Sequence, residues 1–284
     1  MKNNEIKLLA LDLDGTTLRS NNTLSDKVKN ALDRAVANGI TVVAASGRPY
    51  GTMPECITSI SGVDFLVTSN GAAVYDKDRK RVHSKLLPEK EVLRILELSE
   101  GENIIFEAYM QGLTYTDKKY ADDPVKYGCT EAYIDYVRSS HGHIEDMRKF
   151  IYEHRAELDS IEYICVDRET RERVRKRIGQ STDNLFVTSS SENFVEFMTK
   201  TATKANGVEY VCSQLGLERE NVAACGNADN DADMIKWAGL GAAVKNASKS
   251  CVDVADIVVA SNNDDGVAFL VDYILEQNRK AGQN

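Results

Sequence analysis

Two carboxylates, a glycine and a hydroxyl stand close together near the start of the chain, where residues 12–16 read Asp-Leu-Asp-Gly-Thr. Side chains along a strand alternate sides, so Asp12 and Asp14, at the end of the apolar run 6–13, can point into one crevice. Such a pair can hold Mg²⁺ through its oxygens while one member attacks phosphorus. For this run alone, a strand ending in an acidic turn is the alternative interpretation.

Two further segments offer groups that bind phosphate. Ser46-Gly47-Arg48 follows a second apolar run, 40–45, and its hydroxyl and backbone N–H groups suit phosphate oxygens. Lys204 opens a predicted helix, whose N-terminus also favours a phosphate through its dipole. Each has an ordinary alternative, because polar turns after strands are common and a single lysine is usually a surface residue.

Residues 226–231, Gly-Asn-Ala-Asp-Asn-Asp, combine amides and carboxylates where a predicted strand passes into a helix. The side chains of Asn227, Asn230 and Asp231 could supply oxygen ligands to a metal ion. A cluster of Asp and Asn at a helix start can also serve only to cap the helix. In either case the cluster follows the carboxyl end of a strand, as Asp12 does.

Alternating strands and helices at both ends of the chain must position these groups. The first end has predicted strands at 6–13, 40–45 and 64–68, and a helix over 25–38 that Ser25 would cap and Gly39 would stop. The second end has predicted helices at 204–215, 231–238, 249–254 and 264–277, and strands at 221–225, 241–244 and 256–260. This alternation predicts an α/β fold with a parallel sheet, and ligands bind beyond the carboxyl ends of such strands.

The middle of the chain follows a different pattern. Hairpins are predicted over 72–84, 104–116 and 185–198, and helices over 89–100, 144–157 and 169–178. Hairpins mixed with helices predict an α+β module inserted into the α/β domain. We therefore expect a core in two parts, 1–83 and 199–284, with the module over 84–198.

Composition indicates which binding partners and which cellular compartment to expect. The chain has 284 residues, 42% of them hydrophobic, and 44 acidic against 35 basic residues give a net charge of −9. Because nucleic-acid binding depends on clustered positive charge, we do not expect that partner. The six cysteines form no CxxC pair, and no signal peptide or membrane span is evident. We therefore expect reduced thiols, no membrane partner and a cytoplasmic location.

Taken together and in this order, the segments resemble the haloacid dehalogenase (HAD) superfamily of phosphohydrolases. The resemblance is strongest to its Cof-type branch, subclass IIB with a C2-type cap, and tracts at 68–72, 238–247 and 263–268 fit the same branch. It covers nearly the whole chain. It implies a Rossmann-like doubly wound parallel sheet as the core, with the inserted α+β module as a cap that closes over the site and selects the substrate.

The resemblance also implies a role for each site residue. Asp12 matches the nucleophile, which forms an aspartyl-phosphate and ligates Mg²⁺, and Asp14 matches the general acid/base, with its backbone carbonyl on the metal. Asp231 matches a carboxylate that supports the metal directly or through water. The groups that match the phosphate-binding set are Leu13, Ser46, Gly47, Lys204 and Asn230.

One position departs from the family pattern. The implied metal ligands are Asp12, Asp14, Asn227 and Asp231. The fourth motif usually begins Gly-Asp, whereas this chain has Gly226-Asn227, so a neutral amide replaces a carboxylate. An amide oxygen can still bind a hard cation, but the site loses one negative charge. We expect weaker Mg²⁺ binding than in typical relatives, with Asp229 or Asp231 partly compensating.

Three functions are compatible with these residues. The resemblance favours a Mg²⁺-dependent phosphatase that hydrolyses small phosphate monoesters, sugar phosphates or related metabolites. We expect no partner beyond such a phosphorylated metabolite, and a monomer or weak homo-oligomer. A phosphotransferase or phosphomutase is one alternative. The other is a protein that binds a phosphorylated ligand but has lost turnover through Asn227, although the presence of both Asp12 and Asp14 argues against it.

Two groups in the predicted module remain open. Its tyrosines either contact the organic leaving group or pack the module, and they are Tyr109, Tyr115, Tyr120, Tyr127, Tyr133 and Tyr136. His141 and His143 either contribute to a metal site or lie in a polar loop, because a metal site needs further ligands that the neighbouring sequence does not supply.

Overall fold

The computed structural model describes residues 5–131, 134–189 and 193–282, which form two compact units. The first unit comprises the described residues up to Gly47, Met53–His83 and the described residues from Thr203 onwards. The second comprises Arg48–Thr52 and the described part of Ser84–Ala202. Each unit has its own β-sheet.

The described residues contain the following strands and helices. The strands, in chain order, are β1 (Leu8–Leu11), β2 (Thr41–Ala45), β3 (Val63–Thr68), β4 (Ala73–Tyr75), β5 (Arg81–Ser84), β6 (Ile104–Met110), β7 (Leu113–Asp117), β8 (His141–Ile144), β9 (Leu158–Cys165), β10 (Leu185–Thr188), β11 (Phe194–Thr199), β12 (Val222–Gly226), β13 (Leu240–Val244) and β14 (Ile257–Val259). The α-helices are α1 (Asp26–Ala37), α2 (Glu55–Thr58), α3 (Glu89–Leu98), α4 (Lys118–Asp122), α5 (Ile134–Ser140), α6 (Met147–Glu153), α7 (Arg168–Gly179), α8 (Lys204–Leu215), α9 (Ala232–Trp237), α10 (Lys249–Val252) and α11 (Gly266–Ala281). None of these helices is both long enough and apolar enough to span a membrane.

The sheet of the first unit is built around β1. Among the described residues its strand order is β14-β13-β12-β1-β2-β3-β4-β5. β1 pairs in parallel with β12 and with β2, and parallel pairing continues to β14 on one side and to β3 on the other. Every residue of β1 and β12 is buried, as expected for strands covered on both faces. The predicted doubly wound α/β sheet is confirmed, with an antiparallel β4 beside the edge strand β5.

Local sequence sets where α1 and α8 begin and end. The Ser25 hydroxyl caps α1 by accepting the Val28 N–H at 3.1 Å, and Gly39 follows the helix with a φ of +78°. Thr203 caps α8 in the same way, and α8 ends at Gly216, whose φ is +64°. Glycine adopts this left-handed conformation with the least strain, so both helices stop where the sequence predicts.

The second unit has an α+β fold, as the hairpin and helix patterns predict. Among the described residues its strand order is β10-β11-β9-β6-β7-β8. The β7–β8 pair is parallel and the other pairs are antiparallel. Its main core packs one face of the sheet against α3, α6 and α7, and its bulkiest members include Phe106, Tyr163 and Phe197.

Three expectations for the second unit are wrong. The sequence predicts no strand over Leu158–Cys165, because Asp159 and Glu162 interrupt its apolar pattern. In the structure this segment is β9, which lies inside the sheet with every residue buried. The helix predicted over 144–157 shrinks to α6. His141–Ile144 forms β8 beside β7 instead of a polar loop, and Gly142 permits this pairing, because a Cβ there would lie 2.7 Å from the Tyr115 ring.

Candidate active site

The polar groups predicted at strand ends meet at the carboxyl edge of the first sheet. β1, β2 and β12 lie side by side in parallel, and Asp12, Ser46 and Asn227 are the first residues beyond their ends. The Asp12 N–H donates to the carbonyl of Cys225 in β12 at 3.0 Å, which holds the two strand ends together. The register of the sheet therefore assembles groups that are more than two hundred residues apart in sequence.

Lys204 is the central cation of the site. It is the first residue of α8 and is only 1% exposed. Its Nζ donates to Asp12 Oδ1 at 2.8 Å and to Asp231 Oδ1 at 2.6 Å. The ordinary interpretation of a lysine, a solvated surface residue, does not describe it, because its ammonium is buried between two carboxylates.

Asp231 is fully engaged with protein donors. Its Oδ1 accepts from Lys204, and its Oδ2 accepts from the backbone N–H groups of Asn227 and Ala228, both at 2.9 Å. The side chain has no exposed surface. Asp231 therefore orients the lysine and the turn that carries Asn227. Asp229, the other carboxylate considered for compensation, accepts from the Ser250 hydroxyl at 2.6 Å.

The site contains more buried negative than positive charge. Burial and, to a lesser extent, the neighbouring Asp231 raise the pKa of Asp12 to about 7, and Lys204 opposes this shift. The pKa of Lys204 lies above its ordinary value because Asp12 and Asp231 outweigh the opposing effect of burial. One ammonium faces two carboxylates, so a further cation would be stabilised here.

The loop that follows β1 turns tightly around one carbonyl. The N–H groups of Thr16, Thr17 and Leu18 all point to the Leu13 carbonyl, at 3.2, 3.1 and 2.9 Å. Gly15 permits this turn with a φ of +80°, and a Cβ there would lie 2.7 Å from the Asn227 amide. Glycine is therefore required both for the backbone conformation and for the close approach of Asn227.

The residues around Asn227 fit a magnesium ion. The terminal amide atom that faces the site lies 2.9 Å from Asp12 Oδ2 and 2.9 Å from the Asp14 carbonyl oxygen. Mg²⁺ takes octahedral oxygen ligands at about 2.0–2.1 Å, so adjacent ligands in its shell lie about 2.9 Å apart. With the amide oxygen facing inwards, its distance to each of the other two oxygens is that of neighbouring Mg²⁺ ligands. Across the described residues, no group of three His, Cys, Asp or Glu side chains offers an alternative metal site.

Asn230, Asn70 and Gly47 form a second cluster, which combines side-chain amides with an unusual backbone conformation. Asn230 Nδ2 donates to Asn70 Oδ1 at 2.8 Å, and a Cβ on Gly47 would lie 3.3 Å from that same oxygen. Among the described residues, Asn230 Oδ1 is buried without a hydrogen-bond partner. Ser69 and Asn70 both have positive φ, +48° and +54°, which is unusual outside glycine and concentrates at functional sites. The sequence assigned no role to Asn70, although residues 68–72 contribute to the family resemblance.

Two further asparagines support the loop after β1. Asn246 donates to the Gly15 carbonyl at 2.8 Å and accepts the Asn262 N–H at 3.1 Å. Asn262 in turn donates to the Leu18 carbonyl at 2.9 Å. The tract 238–247 and the residues just before 263–268 therefore hold the turn that carries Asp14. Sequence reasoning missed both asparagines.

The described candidates of the second unit have side-chain contacts within that unit. The Tyr120 ring meets Tyr127 edge-on at 6.3 Å, and Tyr115 packs on Phe150 at 4.8 Å. Tyr109 donates to Glu162 at 2.9 Å, and Tyr136 meets the His141 ring edge-on at 5.3 Å. Tyr133 lies outside the described residues.

His141 has the environment of a neutral imidazole. Its Nδ1 lies 2.8 Å from the Ser140 hydroxyl, and its Nε2 lies 3.5 Å from Glu107. Burial lowers the pKa of His141 to about 4. His141 thus lies in β8 with its Nδ1 at hydrogen-bonding distance from the Ser140 hydroxyl and its Nε2 near Glu107, and it belongs to no metal-binding cluster within the described residues.

Comparisons with known proteins extend over nearly the whole chain. Residues 9–271 match the family model described as haloacid dehalogenase-like hydrolase. Phosphatase YwpJ of Bacillus subtilis (strain 168) is 27% identical over 287 aligned residues, which cover 95% of this chain and all of YwpJ. The 5-amino-6-(5-phospho-D-ribitylamino)uracil phosphatase YcsE of the same strain is 30% identical over 264 residues, covering 93% of this chain and 94% of YcsE.

Solved structures share the fold. A haloacid dehalogenase-like hydrolase from B. subtilis has a TM-score of 0.81 and 26% identity, and the match covers 94% of this chain and 99% of that one. The HAD subclass IIB sugar phosphatase BT4131 has a TM-score of 0.79 at 18% identity, with 94% and 98% covered. At 18% identity, the similarity to BT4131 shows a shared fold only.

Proposed function

The chain belongs to the haloacid dehalogenase-like hydrolase family, and from this membership we propose a Mg²⁺-dependent phosphatase that acts on small phosphate monoesters through an aspartyl-phosphate on Asp12. The Cof-type resemblance and the prediction of a HAD-type phosphatase are confirmed by the family model and by phosphatases among the relatives. Beyond this family membership, we propose the metal, the covalent intermediate and the class of substrate.

The position of the Asp12 carboxylate is the observation that supports it most directly. Its Oδ1 accepts from the buried ammonium of Lys204, while its Oδ2 faces the oxygen cluster at Asn227. A carboxylate is a weak nucleophile in bulk water, so fixed orientation and local charge must supply most of the acceleration. Lys204 therefore fixes one oxygen of Asp12 and leaves the other directed towards Asn227.

The chemistry would proceed in two steps. An Asp12 oxygen attacks phosphorus, and the bond from phosphorus to the leaving oxygen breaks while Asp14 donates a proton to that oxygen. Asp14, now a carboxylate, then removes a proton from a water molecule that attacks the aspartyl-phosphate. Orthophosphate leaves, the Asp12 carboxylate is regenerated, and Asp14 has recovered its proton.

Charge on the phosphoryl oxygens would be offset by fixed groups of the first unit. Lys204 supplies an ammonium, and the further phosphate-binding candidates are Leu13, Ser46, Gly47 and Asn230. Mg²⁺, when bound, would neutralise part of the charge on the phosphoryl group. The groups that would hold it are the Asp12 carboxylate, the Asp14 carbonyl and the Asn227 amide oxygen, with Asp231 keeping Lys204 and Asn227 in place.

We infer that the second unit serves as the cap predicted over residues 84–198 and that the substrate is a small phosphorylated metabolite. YcsE is named for a phosphorylated ribitylamino-uracil, and BT4131 is named a sugar phosphatase. These names favour sugar phosphates and related metabolites as the first substrates to try.

The test is phosphate release from a panel of sugar phosphates, nucleotides and cofactor phosphates, with Mg²⁺ and with EDTA. We expect release only with Mg²⁺, and none by Asp12→Asn. Asp78→Asn, which removes the same charge at an exposed turn, should retain parental activity. Phosphate transfer to a second hydroxyl would instead indicate a phosphotransferase, and ligand binding without turnover would indicate an impaired homologue.

A further inference from the structure

The side-chain amide of Asn227 faces three oxygens, so its two orientations have opposite chemistry. The inward-facing terminal atom lies 2.9 Å from Asp12 Oδ2, 2.9 Å from the Asp14 carbonyl oxygen and 2.8 Å from Thr16 Oγ1. If that atom is oxygen, the Thr16 hydroxyl can donate to it, but the two other neighbours are acceptors. If it is nitrogen, it can donate to Asp12 and to Asp14.

We propose that Asn227 is a two-position metal ligand, with its amide oxygen towards Mg²⁺ when the ion is bound and its NH₂ group towards Asp12 and Asp14 when the ion is absent. The NH₂ group then supplies partial positive charge to the same two oxygens that the ion would contact. The usual aspartate of the family cannot do this, because a carboxylate carries only acceptors. This inference rests on the metal of the proposed function.

The backbone around Asn227 allows the exchange without moving the loop. The Asn227 N–H is held by Asp231 Oδ2 at 2.9 Å, and the Asn227 carbonyl accepts the Ser248 N–H at 2.7 Å. Only the terminal amide has to rotate. Asp12 meanwhile keeps its bond to Lys204, so the nucleophile is held in place with or without the ion.

Electrostatics explains why an amide at this position benefits the metal-free protein. Asp12 and Asp231 are already buried with a single ammonium between them. A third carboxylate at position 227 would increase the uncompensated charge, and the protein would then depend on the cation for stability. The neutral amide removes that dependence and binds the cation less tightly, since Mg²⁺ affinity follows the charge of its ligands.

The experiment compares parent, Asn227→Asp and Asn227→Ala by thermal unfolding in EDTA and by calorimetric titration with Mg²⁺ in the absence of substrate. The melting temperature in EDTA should decrease in the order parent, Asn227→Ala, Asn227→Asp, with the last at least about 3 °C below the parent. Mg²⁺ affinity should follow a different order, about tenfold tighter in Asn227→Asp and weaker in Asn227→Ala than in the parent. Saturating Mg²⁺ should largely restore the melting temperature of Asn227→Asp.

Asn30→Asp is the matched control, because it adds the same charge on an exposed face of α1. Asn30→Asp should change neither the melting temperature in EDTA nor the Mg²⁺ affinity. Equal stability of parent and Asn227→Asp in EDTA, or equal Mg²⁺ affinity in all variants, would overturn the inference while leaving the phosphatase intact. If no variant bound Mg²⁺, the metal of the proposed function would fall together with the inference.

Discussion

At the scale of single residues, the buried ammonium of Lys204 determines whether the site can exist. It is within hydrogen-bonding distance of both Asp12 and Asp231, and all three side chains are at least nine-tenths buried. Removing one partner of a buried ion pair leaves the other charge uncompensated, which is more destabilising than losing the attraction alone. Lys204 therefore stabilises the buried pair of carboxylates, and the proposed function gives it a second role in binding phosphate.

Lys204→Met should lower the free energy of unfolding by about 3–5 kcal/mol in EDTA, because it leaves two buried carboxylates without their cation. It should also abolish phosphate release under conditions in which the protein remains folded. Urea unfolding and the phosphate assay measure the two effects. Lys236→Met, which removes an exposed lysine in α9, is the control and should change stability by less than about 0.5 kcal/mol. A folded, active Lys204→Met variant would contradict the role given to this residue.

Single-residue chemistry in the site was only partly predictable from sequence. Asp12, Lys204 and Asn227 were identifiable because each stands directly after a strand or opens a helix. Asn70 was not, because its position depends on a left-handed turn at Ser69 and Asn70 that no periodicity predicts. The sequence also left open whether Asp231 binds the metal directly, because the donors to its oxygens are set by the tertiary fold.

At the scale of elements, three strands of the second unit place like charges side by side. Glu107 of β6 lies opposite Glu162 of β9, and Glu162 lies opposite Glu196 of β11. Carboxylates directly opposite one another on neighbouring strands repel. Burial raises the pKa of Glu107 to about 8, and burial followed by Glu196 also raises the pKa of Glu162. Glu107 and Glu162 are therefore most favourable in the folded protein when they hold protons.

Stability should consequently fall as pH rises. Between the ordinary Glu pKa of 4.5 and the folded value of about 8 for Glu107, the folded protein holds a proton that the unfolded chain releases. The free energy of unfolding should decrease by up to about 1.4 kcal/mol per pH unit for that proton. Urea unfolding followed by circular dichroism between about pH 5 and 8 measures the slope. Glu107→Gln should flatten it, and the exposed-site control Glu100→Gln should not; a parental slope of zero would refute the assignment.

Buried acidic side chains explain why β9 was not predicted although β1 and β12 were. β1 and β12 are apolar along their whole buried length, so their pattern is evident. β9 is equally buried, but Asp159 and Glu162 break its apolar run, and sequence periodicity alone does not indicate that a charged side chain is buried. α1 and α8 were predictable nearly to the residue because polar caps and glycines mark their ends.

At the scale of the whole molecule, the first unit is assembled from the two ends of the chain. β1 pairs with β12, and Asn278 of α11 clasps Ile6 by accepting its N–H at 2.8 Å and donating to its carbonyl at 2.7 Å. The second unit is nearly continuous, since only Arg48–Thr52 comes from elsewhere in the sequence. Folding of the first unit should therefore require segments from both ends of the chain, whereas the second unit should fold from one continuous segment.

Fragments test that difference. Residues 84–202 contain the six strands described for the second sheet and its main core, so this fragment should fold alone and give dispersed NMR signals and a cooperative melt. Residues 1–83 should remain unfolded, because β1 would lack β12 and the α11 clasp. Mixing the fragments 1–83 and 203–284 should give more helical circular dichroism than the sum of the two separate spectra, whereas mixing 1–83 with 84–202 should give only the sum. A folded 1–83 fragment would show that the part of the site at β1 does not depend on the joining of the two ends of the chain. An unfolded 84–202 fragment would show that the second unit needs residues outside this range.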